Sequence, residues 1–266
     1  MPARRLSYRQ VLEIVAGKPV QELVLVGGQA LNAWAEALGI ADHSTEGIYG
    51  AALSDDIDFY GMAPAAIALA EALGAAVAVA GMDQHTPNAA VITFDYHGDR
   101  NIIDVLHSLQ GFSSLDLERV RQWAAVPEMP GAASDKLRVM HPAHCLQSQL
   151  ENVYGAALNR RESADGERNA NRVRLACEAV RRTLRHYLDS DDAESGRALV
   201  ELVYSLAGRE PALRARASDQ IDIAAGFVMD ERLGSAFVAK RLPQLEASYS
   251  RAIGKYEARL RRKRTQ

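Results

Sequence analysis

The rhythm of hydrophobic and polar positions changes near residue 140. Before it, short apolar runs alternate with runs of helical spacing. Residues 22–26 form an apolar strand that stops at Gly27-Gly28. From Gln29 to Leu38 the apolar Ala30, Leu31, Ala33, Trp34, Ala37 and Leu38 follow the spacing of a helix packed on one face. Residues 39–53 hold three glycines and no period, which predicts a loop, and a strand resumes over 56–60. Pro64 suits a first helical turn, and AAIALAEALG ends at Gly74, a C-terminal cap. AAVAVA predicts another strand. AVITFDYHGDRNIIDVLHSL predicts a hairpin that turns near Gly98-Asp99.

After Pro142 the strand signals stop. Arginine-rich amphipathic runs predict helices over 142–160, 168–189, 193–208, 211–230 and 243–263, and ESADGERNAN (162–171) reads as a linker. Strands alternating with helices, followed by a hairpin, predict a mixed sheet flanked by helices. The expected fold class is therefore α/β (α+β), with an N-terminal domain over 1–140 and an α-helical C-terminal domain over 141–266.

Composition adds limits. At 266 residues the chain can build a sizeable core, and no apolar run reaches the roughly 18 residues that span a bilayer. The opening MPARRLSYRQ has no apolar segment or small-residue cleavage site behind it, so no secretory leader and a cytoplasmic setting are expected. Cys145 and Cys177 lie far apart, and neither a disulfide framework nor a clustered zinc motif follows from them. Charge is unevenly spread. Residues 1–150 carry 9 Lys/Arg against 17 Asp/Glu, and residues 151–266 carry 22 against 17. An acidic site in the first half and an anionic partner for the second are the corresponding expectations.

The acid is concentrated in LSDDIDFYG. Side chains alternate along a strand, so Asp56 and Asp58 are expected on one face and Ile57 and Phe59 on the other. Two like charges so placed repel unless a cation lies between them. Magnesium takes one or two carboxylates together with substrate phosphates. Asp104 interrupts the apolar NIIDVL and is the candidate third carboxylate, because a lone acid in such a strand is costly to bury. Asp95 breaks VITFDYH in the same way but lies near the turn, where solvation is easier. Gly27 and Gly28 would let the backbone approach a ligand, with the amides of the following helix favouring an anion.

Taken together, VGGQALNAW, SDDIDF and NIIDVL resemble the DNA polymerase β-like nucleotidyltransferase superfamily. The likeness covers roughly residues 20–160. It is nearest to the bacterial minimal nucleotidyltransferases, including the AbiEii-like toxins of abortive-infection and toxin–antitoxin systems. The resemblance implies a metal triad of Asp56, Asp58 and Asp104, with Mg2+ or Mn2+ as cofactor and an NTP as substrate. It makes Gly27 and Gly28 the phosphate cradle, Ser54 a phosphate contact, and Asp104 the group that serves or orients the base for the acceptor hydroxyl.

Two positions depart from the family pattern. Ala51–Ser54 stand where such proteins carry a basic residue, and Gln149 stands where they carry a lysine on the following helix. Gln149 can hydrogen-bond a phosphate without offsetting its charge, and Lys136, Arg138 or an arginine from 160–174 is the expected substitute. The implied function is nucleotide transfer from an NTP to an acceptor hydroxyl. RNA or tRNA held by the basic C-terminal helices is the expected acceptor, with a protein or small molecule left open. No membrane is expected, and a protein partner or homo-oligomer is left open. The alternative is a catalytically weak or inactive module of the same fold that binds a partner, as in a toxin–antitoxin pair. HPAHC (141–145) reads as a helix cap in which His141 precedes Pro142.

Overall fold

The computed structural model describes residues 6–40, 56–81, 83–128, 137–155, 166–225 and 230–264. The chain divides into two compact units, Met1–Ser148 and Gln149–Gln266. The first is mixed α/β and the second is helical.

The first unit runs α1 (Tyr8–Val15), β1 (Val24–Val26), α2 (Gly27–Ala37), β2 (Ile57–Tyr60), α3 (Ala63–Leu73), β3 (Ala76–Val79), β4 (Asn88–Tyr96), β5 (Asp99–Leu106), α4 (Ser114–Trp123) and β6 (Arg138–Val139). Its last element, α5 (Pro142–Tyr154), continues past the boundary. The strands form one sheet in the order β3-β4-β5-β2-β1-β6. β2 pairs parallel with β5, and β1 with β6; the other pairs are antiparallel. Mixed sheets of this kind need helices to cover them, and α2 and α3 pack against their neighbouring strands.

Alternation gives the sheet two unlike faces. Ile57, Phe59, Ile103, Val105, Ala90 and Ile92 are wholly buried. Cross-strand partners share a face, so the register lines up the opposite side. Val26, Asp58, Asp104, Val91 and Ala78 form one row across five strands, and Arg138, Val24, Tyr60, Leu106 and Asn88 form the next. This second face is open at the β3 end, where Ala78 is exposed and Ile102 is 40% exposed.

The helix over 64–74 forms as expected, with Gly74 in the left-handed region at its C-cap (φ 61°). The hairpin also forms, but its two turn residues are His97 (φ 52°) and Gly98 (φ 84°). Positive φ at both central positions matches the twist of the flanking strands. Three elements of the first unit, α1, α4 and the two-residue β6, were not read from the sequence. α1 begins with a capping box between Ser7 and Gln10, and α4 with one between Ser113 and Asp116.

The second unit contains the end of α5, then α6 (Gly166–Asp189), α7 (Ala193–Ala207), α8 (Glu210–Asp219) and α9 (Leu242–Arg264). Three expectations change. The linker read over 162–171 is helical from Gly166, because Ala170 and Val173 are buried on one face of α6; residues 162–165 lie outside the described residues. The helix expected over 142–160 ends at Tyr154, and 156–160 likewise lie outside. The helix expected over 211–230 stops at Gln220, which is left-handed (φ 56°). Asp222 Oδ1 then accepts from the amides of Ala224 and Ala225 at 3.0 and 3.2 Å, which holds a turn rather than a helix. No helix among the described residues is long and apolar enough to cross a membrane.

Both cysteines are free and buried. Burial pushes the Cys177 thiol up to about 12 and raises Cys145 as well, so neither is a ready nucleophile. His141 caps α5 as expected: its Nδ1 accepts from Ala143 N at 3.2 Å. Trp123 lies edge-on to both His141 and His144. Burial, then the neighbouring His144, holds His141 down at about 3. Burial also holds His144 at about 4, with Asp116 opposing the shift and Arg119 adding to it.

A stability profile follows. Above the ordinary imidazole value near 6.5 these histidines are neutral in both the folded and unfolded chain. As pH falls from about 6.5 towards 4, the unfolded chain takes up protons that the folded chain cannot. Stability then drops by up to about 1.4 kcal/mol per pH unit per imidazole. Urea unfolding at pH 7.5 and 5.0 should show this loss. His144→Leu should flatten it, since the two ring nitrogens of His144 meet no hydrogen-bond partner among the described residues.

Candidate active site

The end of β1 fixes the centre of the carboxylate face. Gly27 has φ +65°, a conformation that costs other residues about 1–2 kcal/mol, and it lets the chain turn from β1 directly into α2. A Cβ on Gly27 would run into Asp58 Oδ2 and come within 3.2 Å of its Cγ. The glycine is therefore needed twice, for its backbone angle and for the space that Asp58 fills. Val26 occupies the N-cap position and makes no side-chain cap hydrogen bond. Gly28 is buried in the first turn.

Asp58 and Asp104 are direct partners across the parallel β2–β5 pair. Neighbouring strands lie about 4.8 Å apart, so the two carboxylates stand side by side, each half-buried. Asp56 requires a correction. Pairing of β2 begins at Ile57, so Asp56 precedes the strand in a bend and is exposed; strand alternation does not place it. Its charge still acts on Asp104, whose carboxyl is held above the usual range by desolvation first and by Asp56 second. Asn88 Nδ2 donates to Asp104 Oδ1 at 3.1 Å.

The donor set is oxygen only, which suits magnesium or manganese rather than zinc. Among the described residues no group of three or more His, Cys, Asp or Glu side chains is arranged to hold a metal ion. The pair Asp58–Asp104 meets the more modest need of an ion that keeps its waters and takes substrate oxygens.

Of the basic residues expected from the sequence, Arg138 lies on the carboxylate face. Positions 51–54, Ser54 included, and Lys136 lie outside the described residues. Gln149 is buried on α5 within the second unit. The row next to the carboxylates, however, carries two cations. Arg138 opens that row on β6. The Arg121 guanidinium lies 4.9 Å from the centre of the Tyr60 ring, and Tyr60 is two residues along β2 from Asp58 on the same face. Arg138 also donates to the Arg121 carbonyl, which ties the two arginines together.

Asp95 is exposed opposite Arg100 at the hairpin end. His97 forms the turn, and His107 is exposed just beyond β5. Sequence reasoning missed Arg121 and Asn88. The S-x-x-D of SSLD (113–116), a helix-start signal, would have placed Arg121 on a helix. No sequence signal gives Asn88, whose direction depends on an irregularity in the β4–β5 ladder.

An acid with a raised folded value destabilises the fold once pH exceeds its unfolded value near 3.9. Asp104→Asn should therefore raise the melting temperature at pH 7, and the gain should disappear near pH 3. Gly27→Ala should lower stability by at least about 1 kcal/mol in urea unfolding, with additional loss from displacing Asp58.

The chain was compared with protein-family models, with curated proteins and with solved structures, and none of them matches it.

Proposed function

We propose that the chain is a metal-dependent nucleotidyltransferase that joins a nucleotide from an NTP to an acceptor hydroxyl. One observation carries the reading: Asp58 and Asp104, in register on adjacent strands, stand beside a glycine that opens α2. Two half-buried carboxylates at such spacing favour a divalent cation, and a glycine-led helix start favours an anion. A nucleoside triphosphate with its magnesium supplies both.

Asp58 and Asp104, with Asp56 from the preceding bend, would hold Mg2+ or Mn2+. The ion, when bound, would neutralise charge on the transferring phosphate. Gly27 and Gly28 would present backbone amides to the phosphates. Arg121 and Arg138 would offset the phosphate charge that Gln149 cannot. In the reaction the acceptor oxygen forms a bond to the α-phosphorus, the bond from that phosphorus to the β-phosphate oxygen breaks, and pyrophosphate leaves. The hydroxyl proton passes to the Asp104 carboxylate and then to solvent. The raised carboxyl of Asp104 suits a group that must accept a proton. The excess of basic residues in 151–266 supports RNA as the acceptor.

A non-catalytic binding role is the second reading, favoured by the lack of a three-ligand group among the described residues. Thermal melting separates the two. An NTP mixture with Mg2+ at about 100 times its dissociation constant should stabilise the wild type by about 2.7 kcal/mol. That corresponds to several degrees in a chain of this size. The double variant Asp58→Asn with Asp104→Asn should show no nucleotide-dependent shift. The absence of any shift in the wild type would sink the enzyme reading.

A further inference from the structure

β4 would normally point Asn88 into the core. Asn88 and Ala90 are two residues apart and so have the same parity, and Ala90 is wholly buried on the apolar face opposite Val105. A bulge between them shifts the register, so that Asn88 pairs with Leu106 instead. Leu106 shares the face of Asp104. The extra residue thus turns the Asn88 carboxamide out of the core and onto the carboxylate face, where it meets Asp104 Oδ1 at 3.1 Å. Bulges that re-aim a side chain are concentrated beside active sites.

Asn88 has a second neighbour. A cavity of about 500 Å3 lies at this end of the sheet, between the edge strand β3 and residues 84–86, and Asn88 forms part of its wall. Val91 and Ala78 contribute to its lining and continue the row that starts at Asp58 and Asp104, and Val79 and Ala90 of the other face border it too. Gln84, His85 and Thr86 close the far side. Gly81 N donates to Gln84 Oε1 at 3.3 Å, and Asn88 N to Thr86 Oγ1 at 3.2 Å.

Among the described residues the lining contains no Lys, Arg, Asp or Glu. It offers carboxamides, a hydroxyl and an imidazole above small apolar residues. A phosphate or an ammonium group would find no opposite charge there. An uncharged group with hydroxyls and a flat face is well matched, since carboxamides pair with base edges and flat side chains stack on bases. The volume lies within the range of small-molecule sites.

Resting on the nucleotidyltransferase reading, we propose that this cavity seats the nucleoside that carries the acceptor hydroxyl. Asn88, turned outward by the bulge, is the residue that positions Asp104 beside that hydroxyl. The nucleoside could come free or as the 3′ end of an RNA, and both present the same chemistry to the cavity.

The test uses the full chain. Binding of adenosine, of cytidine and of a short RNA with a free 3′ end is measured by ligand-observed NMR in the absence of NTP. Transfer from labelled NTPs is measured separately with each acceptor. At least one probe should bind the wild type, with free nucleosides distinguished from the RNA by their separate affinities. Ala78→Leu, which fills the cavity from an exposed position, should weaken that binding at least tenfold. It should leave the melting shift with Mg2+ and NTP unchanged. Loss of that shift in the wild type would overturn the nucleotidyltransferase reading and this inference together. A normal shift with unchanged probe affinity in Ala78→Leu, or label found on protein side chains and not on nucleosides, would overturn the acceptor seat alone.

Asn88→Ala removes the donor to Asp104, and Asn88→Asp adds a like charge in its place. Both variants should lower kcat for transfer while KM for the NTP stays unchanged, and Asn88→Gln should recover part of the rate. A purely structural role for Asn88 would lower the melting temperature without separating kcat from KM.

Discussion

Two like charges held side by side constrain the rest of the first unit. Asp58 and Asp104 occupy adjacent positions on neighbouring parallel strands, and burial and then the charge of Asp56 raise the cost of charging Asp104. Much of the surrounding architecture limits that cost. Gly27 leaves room for the Asp58 carboxylate, and Asn88 donates to Asp104. The apolar side chains of the same strands turn to the opposite face and are wholly buried there. That burial anchors β2 and β5 strongly enough for the carboxylates to remain together. A sheet optimised for stability alone would carry neutral residues in this row, and departures from that optimum concentrate at functional sites.

Much of this organisation was legible in the sequence because it follows from alternation and punctuation. The strand over 56–60, the helix closed by Gly74 and the hairpin near Gly98 each carry a local signal, namely parity, a positive-φ glycine or a turn. Parity singled out Asp56 and Asp58, the cost of a lone acid in an apolar strand singled out Asp104, and the register set Asp58 and Asp104 next to each other. What was not legible depended on pairing between strands. Asp56 looked like a strand residue, but pairing starts one position later. Asn88 lay outside the strand read from Ala90 onward, and a bulge leaves no mark in composition. Gln220 ended α8 early through a left-handed residue, which no glycine or proline announced.

The basic partners of the site show a related limit. The family resemblance directs attention to positions defined by distance along the chain, before the double aspartate and on α5. In the fold, two cations reach that face through the sheet's order and α4, and one of them, Arg138, was among the residues expected from the sequence. β6 pairs beside β1 and brings Arg138 into the row that contains Tyr60, and α4 sets Arg121 over the Tyr60 ring. Charge complementarity at a phosphate site depends on where a cation is in space, and different connections can deliver it.

The bulge beside Asn88 makes the length of the β3–β4 connection a two-position setting. Side-chain direction along a strand has only two values, and one extra residue exchanges them. With Ala89 taken up by the bulge, Asn88 stands opposite Leu106 on the carboxylate face, whereas a regular ladder that kept Ala89 would turn the same carboxamide into the apolar layer. Deleting Ala89 would mend the ladder and keep Asn88 beside Asp104, so the direction of this one side chain depends on whether the extra residue is bulged out or paired.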